Sequence, residues 1–247
     1  MVATDDPTPI AIARLDHHGN AAYEFRIDGS AAAGLQLDDL DGGLPTATAA
    51  LHVGSLGLVV EPMASTIESL VESTGDDVLV MLDLNCRPSA IEHPMVYRLR
   101  IDRILARSDV VKASVEDLAY LRSGVAPTDA AMDLLALGPR AVLLTDGGRP
   151  VRIVTADVVD EVPIPPMNVV DTVGAGDAFG GGFLSAWFTQ GLGRADATRR
   201  EALVATTSFA IAVAGLTTTR AGAEPPTAFE VAEYVSGQRA SGAGGRL

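Results

Sequence analysis

From residue 50 onward the chain alternates two kinds of segment, and this alternation restricts the possible fold more than any other feature. "ALHVGSLGLVV" leads into "PMASTIESLVEST", "DVLVMLDLN" into "HPMVYRLRIDRILARS", and "DVVKAS" into "VEDLAYLRS". "AVLLTDGG" and "PVRIVTA" follow as two further extended pieces. Short apolar runs bounded by turn residues read as buried strands, and the longer amphipathic stretches as crossover helices. Strands that are apolar on both faces belong in a mostly parallel sheet covered by helices on both sides, an α/β fold. In such sheets ligands bind beyond the carboxyl ends of the strands. The residues singled out below fall at such ends.

The two flanks read differently. "PIAIARLD" and "AAYEFRI" enclose the turn-type sequence "HHGN", which predicts a β-hairpin within residues 9–30. His17 and His18 at its tip read as solvated turn residues rather than a metal pair. The last third reads as helical, with one helix starting near Gly176, another over "DATRREALVATTSFAIAVA" and a shorter one over "PTAFEVAEYV". The Ser/Gly-rich end, residues 237–247, predicts a disordered tail. No internal repeat or linker interrupts residues 1–236, which read as one domain.

Composition removes several classes of function. A formal net charge of −14 opposes binding to nucleic acid, whose affinity rests on neutralising phosphates, and opposes docking on anionic membranes. One cysteine, Cys86, rules out an intrachain disulfide and reads as a buried, inert thiol. The first residues lack the basic and apolar regions of a signal peptide, and no apolar run is expected to reach the ~18 residues of a membrane span, so the expected address is cytoplasmic. Of the 18 basic residues only Lys112 is a lysine. A lysine-dependent mechanism therefore has one candidate, and Lys112 reads as a strand-end surface residue.

The strongest chemical signal is "VVDTVGAGDAFGGGFLSAW". Each glycine inside a helix costs up to ~1 kcal/mol relative to alanine, so five of them around a helix start need a reason. "NVVD" reads as extended, and a helical face follows through Phe179, Phe183 and Ala186. Glycines there let the backbone approach a ligand closely, while the free amides and positive dipole end of the first turn form an anion site. Asp177 falls in that turn, where its plainest role is to complement the dipole. A Walker loop needs a lysine this segment lacks, and the G-x-G-x-x-G dinucleotide pattern meets Phe179 where its third glycine belongs.

"DTVGAGDAFGGGF" closely resembles the signature of the ribokinase-like, or phosphofructokinase-B, carbohydrate kinases, D-T-x-G-A-G-D-x-F. "DLNCRP" resembles that family's D-x-N-x-R segment, "VKASVED" its next strand and acidic helix start, "LLTDGG" its nucleotide segment, and "TTTRAGAEPP" its late loop near the adenine. The likeness runs in the family's order from about residue 7 to 235.

The resemblance implies an enzyme that moves the γ-phosphoryl group of ATP, with Mg2+, to a sugar hydroxyl. It makes Asp177 the base and the amides of Gly174, Ala175, Gly176 and Asp177 the anion hole. A carboxylate in that place can accept the hydroxyl proton as the alcohol attacks. Arg87 is implied to contact phosphate or an acidic substrate group, with a surface or ion-paired arginine an equal alternative on sequence alone. Asn85 is implied to orient nearby groups. Asp117 is implied to hold Mg2+ through water, with helix capping the alternative for it and for Glu116. Thr145, Gly147 and Gly222 are implied in nucleotide binding, and the backbone of Asp171 and Val173 in holding a monovalent cation such as K+. Glu61 stands where relatives contact the sugar, or else is a helix-start acid. The hairpin is implied to be part of a lid.

The chain departs from the family at its beginning. The first strand, with its acidic residue for the sugar, and the Gly-Gly-x-x-x-Asn motif of the sugar pocket find no match, and "DGGLPTAT" stands in the wrong place. The expectations are therefore a fructokinase-like or 2-keto-3-deoxygluconate-kinase-like enzyme, with a homodimer the assembly allowed. The alternatives are an impaired nucleotide-binding fragment of the same fold and, more remotely, an NAD-dependent oxidoreductase.

Overall fold

The computed structural model describes residues 4–15, 21–27, 29–40 and 43–243. Strands β1 (Ile10–Leu15) and β2 (Ala21–Arg26) form an antiparallel two-stranded sheet, in register from Ile10 opposite Arg26 to Leu15 opposite Ala21. This is the predicted hairpin. Its tip, with His17 and His18, lies outside the described residues.

A second sheet has six strands in the order β3-β4-β5-β6-β7-β8, a mixed and mostly parallel arrangement flanked by helices. The members are β3 (Ala50–Gly54), β4 (Leu79–Asp83), β5 (Val110–Ser114), β6 (Ala141–Asp146), β7 (Arg149–Val154) and β8 (Val159–Val162). The chain divides into two compact units, Met1–Val142 and Leu143–Leu247, and each is described by itself.

In the first unit every residue of β4 is buried, as a strand covered on both faces requires. It runs parallel to β3 and to β5, and the register places Gly54, Asp83 and Lys112 side by side at their carboxyl ends. The crossovers are α1 (Met63–Ser73) and α2 (Pro94–Arg107). Helix α2 turns Tyr97, Ile101, Ile104 and Leu105 inward, a 3.6-residue stripe that removes their side chains from water. Two more helices follow, α3 (Val115–Leu121) and α4 (Pro127–Leu135). The second of these begins with proline at its first position, where the missing N–H costs nothing.

In the second unit β7 and β8 pair antiparallel. Three helices follow: α5 (Ala175–Thr189), α6 (Arg200–Thr218) and α7 (Ala228–Ala243). Helices α5 and α6 pack closely because α5 offers Gly182. A Cβ there would stand 3.0 Å from Val213 and 3.2 Å from the Ala210 Cα. Phe183 and Trp187 stack below, ring centroids 5.4 Å apart, both fully buried. Helix α6 is long and apolar enough to cross a membrane, an exception to the expectation of no such run, but 56% of its apolar stretch is buried inside the protein.

Three expectations change. "NVVD" forms no strand: Val169 and Val170 are 61% and 65% exposed, and the amides of Val170 and Asp171 donate to the Thr218 carbonyl. Helix α7 continues to Ala243, through residues whose composition predicts a disordered tail. Lys112 is no surface residue, since its side chain is 7% exposed and ion-paired to Asp83.

Candidate active site

The glycine-rich segment enters α5 through Gly174, whose φ of +76° lies in the left-handed region. Space demands glycine as well, since a Cβ would meet the Cβ of Ala223 at 2.6 Å and its Cα at 2.9 Å. Helix starts leave backbone amides without intrahelical partners. Here Ala175 donates to the Thr172 carbonyl at 3.2 Å and Ala178 to the Gly174 carbonyl at 2.8 Å. The amides of Gly176 and Asp177 meet no acceptor among the described residues. Two such donors at the positive end of a 15-residue helix can hold an anion without a lysine.

Asp177 is exposed in this first turn and lines a cavity of about 430 Å3. Gly174, Gly181, Ser185, Phe209 and Ala223 are among its neighbours there. The glycines thus divide their work: Gly182 allows the two helices to touch, while Gly181 has open space where its Cβ would be.

Asp171 ties two loops together. One carboxylate oxygen accepts the Val173 amide at 3.0 Å, and the other accepts the Gly222 amide at 2.9 Å. These bonds, Val173's first, hold its pKa below the ordinary carboxylate value. Gly222, with φ +81°, is thereby fixed in the late loop. At the start of that loop Arg220 pairs with Glu230 at 2.8 Å. Glu230 also accepts from the amide and hydroxyl of Thr227, closing the start of α7. The Thr227 amide, then Arg220, bring the Glu230 carboxyl down to about 2. Sequence reasoning selects Gly222 here but misses Arg220 and the Asp171 carboxylate, whose partner stands 51 residues away.

A second cavity of this unit, about 510 Å3, is lined by Met167, Val170, Leu216 and Tyr234 with Asn168 and Thr219. Thr145 is half-buried at the end of β6, and Gly147, φ +53°, makes the tight turn into β7.

The remaining predicted residues lie in the first unit. Asp117 is buried and completes a capping box: Ser114 accepts from the Asp117 amide, and Asp117 accepts from the Ser114 amide at 2.8 Å. Its other oxygen accepts the Cys86 amide at 2.7 Å. That bond fastens "DLNCRP", in which Asn85 takes φ +35°. Cys86 is buried 3.4 Å from the Tyr97 hydroxyl, and burial pushes its thiol up to about 12. The thiol is therefore inert, as its lone position implied.

Arg87 is half-buried, donates to the Cys86 carbonyl at 3.2 Å, and has no carboxylate partner among the described residues. Glu61 is a helix-start acid, accepting the Ser65 amide at 3.1 Å and pairing with Arg100. Partial burial raises its pKa, but the bonds from Ser65 and Arg100 outweigh that and leave it lowered. It lines a cavity of about 340 Å3 with His93, Val96 and Tyr97. No cluster of three or more metal-binding side chains occurs among the described residues.

A mostly parallel sheet with flanking helices, and a glycine-entered helix presenting free amides beside a carboxylate, define a ribokinase-like protein. Comparison with known proteins makes the assignment specific: residues 1–228 match the pfkB family of carbohydrate kinases, and the chain belongs to that family. A fructokinase of Rhizobium leguminosarum bv. trifolii is 34% identical over 183 residues, which is 74% of this chain and 56% of that one. A fructokinase of Klebsiella pneumoniae is 33% identical over 196 residues, 75% of this chain and 60% of that one. The chain thus spans less than two thirds of these relatives. Among solved structures, a fructokinase from Xylella fastidiosa with bound ATP superposes with a TM-score of 0.84 at 28% identity, covering 96% of this chain and 76% of that one.

Proposed function

We propose that the chain is an ATP-dependent sugar kinase that transfers the γ-phosphoryl group of ATP to a sugar hydroxyl, with a ketose such as fructose the first candidate and a 2-keto-3-deoxy sugar acid the second. The observation that carries this reading is the start of α5, where two unpartnered amides and Asp177 share one helical turn beside a 430 Å3 cavity. Phosphoryl transfer asks a protein mainly for positioning and charge stabilisation. The Gly176 and Asp177 amides, with that of Gly174, provide the charge stabilisation. Ala175, whose amide already has an acceptor, shapes the turn instead. Asp177 takes the hydroxyl proton as the alcohol oxygen attacks.

The chain's features fit ATP. The open space at Gly181 leaves room for phosphate, and the cavity lined by Met167, Leu216 and Tyr234 with Asn168 and Thr219 offers the apolar surface and few polar groups that a planar base needs. Gly222, held by Asp171, and Thr145 and Gly147 are assigned to the nucleotide, and Arg87, free of carboxylates among the described residues, to a phosphate or substrate acid group. Mg2+ carried in with ATP would neutralise part of the phosphate charge. Asp117 would reach it through water, and the backbone of Asp171 and Val173 would hold K+. Glu61 and Asn85 are assigned to the sugar side, residues 1–236 to one catalytic domain working in the cytoplasm, and the free chain to no nucleic acid or membrane partner.

A coupled assay of ADP release against a panel of ketoses, aldoses and sugar acids tests this. The reading requires sugar-dependent ADP release. Tight binding of an ATP analogue with no release for any sugar would make the chain a nucleotide-binding protein instead.

A further inference from the structure

The chain's single lysine is buried in a place no mechanism described above uses. Lys112 Nζ lies 3.0 and 2.8 Å from the two carboxylate oxygens of Asp83, and the two side chains are 7% and 6% exposed. Burial pushes the Asp83 carboxyl up, and the Lys112 charge opposes that push. A buried pair of this kind is a poor source of stability, because removing both charges from water cancels most of their attraction. Its position shows what else it does.

The same two residues are neighbours across β4 and β5. Immediately after the pair, the Leu84 amide donates to the Lys112 carbonyl at 3.0 Å. Two residues further on, the Cys86 amide donates to Asp117, which the Ser114 cap holds in place. Asn85 bridges these two anchors in a left-handed conformation. On the other side, a Cβ on Gly54 would stand 2.0 Å from the Asp83 carbonyl oxygen, so β3 and β4 are pressed together where the segment leaves the sheet. Residues 83–87 are therefore held at a side chain and at two amides, with Arg87 at the free end.

We propose that the Lys112–Asp83 ion pair is a positioning pair that fixes the Asp83–Arg87 segment, and through it the aim of Asn85 and Arg87. The clamp rests on geometry alone, and its catalytic consequence rests on the kinase reading. An ammonium is compact enough to lie between two strand ends, and an arginine there would replace one point charge with a planar fork.

The test uses Cys86 as an internal reporter, because it is the only thiol and sits inside the clamped segment. Asp83→Leu/Lys112→Met removes the pair without leaving a lone buried charge, and Lys112→Arg keeps the charge but alters its shape. Both are measured for urea stability, Cys86 labelling by a disulfide reagent in low urea, and sugar kinase kinetics. For the double variant the proposal requires stability equal to or above the wild type, and labelling at least tenfold faster and insensitive to low urea, as local opening is. It also requires a kcat loss of about 10- to 100-fold with KM for MgATP changed less than about threefold, the size of effect that a misplacement near 1 Å produces. Lys112→Arg gives smaller shifts in the same directions and decides the matter if the double variant does not fold. Wild-type labelling in the folded variants overturns the clamp, and faster labelling with unchanged kcat overturns its catalytic purpose. A wild type that binds nucleotide yet phosphorylates nothing defeats the kinase reading while the labelling still judges the clamp.

Discussion

Substituting Gly174 by alanine probes the site through two independent penalties. The first is conformational: φ is +76°, and an L-residue in the left-handed region costs about 1–2 kcal/mol. The second is steric, because the new Cβ would meet the Ala223 Cβ at 2.6 Å and its Cα at 2.9 Å, far inside van der Waals separation. Relief requires the late loop or the helix start to move by about 1 Å, and overpacking of this sort costs about 1–3 kcal/mol. Gly174→Ala is therefore expected to lose about 2–5 kcal/mol in urea denaturation. It should also lose about 100-fold in kcat, because the shift falls on the amides that face the transferred group. Ala223→Gly in the same chain removes the nearer of the two clashes and leaves the backbone one in place. The double variant should recover part of the steric loss and none of the conformational one. Wild-type stability and turnover in Gly174→Ala would refute the reasoning, and full recovery in the double variant would show that the left-handed φ carries no cost.

Asp177→Asn keeps the shape of the side chain but cannot take a proton, so phosphotransfer should fall by about 10²- to 10⁴-fold while ATP affinity, by calorimetry, stays within about twofold. Asp117→Ala leaves the Cys86 and Ser114 amides without their acceptor and should cost about 2–4 kcal/mol in chemical denaturation. Glu230→Gln tests the late loop by pH. The folded carboxyl at about 2 lies below its ordinary 4.5, so its stabilisation is complete above 4.5 and disappears as pH falls through about 2. Hydrogen exchange at the Thr227 amide should therefore differ between wild type and variant at neutral pH, and the two should converge as pH falls from 4.5 towards 2.

Patterns local in sequence are legible. The strand-helix alternation, the start of α5 within one residue, the hairpin and the Asp117 cap all depend on neighbours a few positions apart. What escapes depends on distant partners or weak patterns. Lys112 reads as a surface residue because Asp83, 29 residues away, supplies the charge that lets it be buried. Arg220 and the Asp171 carboxylate escape for the same reason, their roles being set by Glu230 and Gly222. "VDEV" alternates too briefly to announce β8, and "PTDAAMDLL" is too short to announce α4. "NVVD" is apolar enough to suggest a strand, yet it bonds to the end of α6 through the Thr218 carbonyl. The ion pair of Glu61 escapes as well, because Arg100 stands 39 residues away.

The central claim is that Asp177 and the amides beside it transfer a phosphoryl group to a sugar. Incubation with MgATP and each sugar of a panel, read by phosphorus NMR, tests it most directly. The account predicts a sugar phosphate formed in equal amount with ADP, and its loss in Asp177→Asn. Inorganic phosphate as the only product, or a sugar phosphate formed equally well by Asp177→Asn, would contradict it.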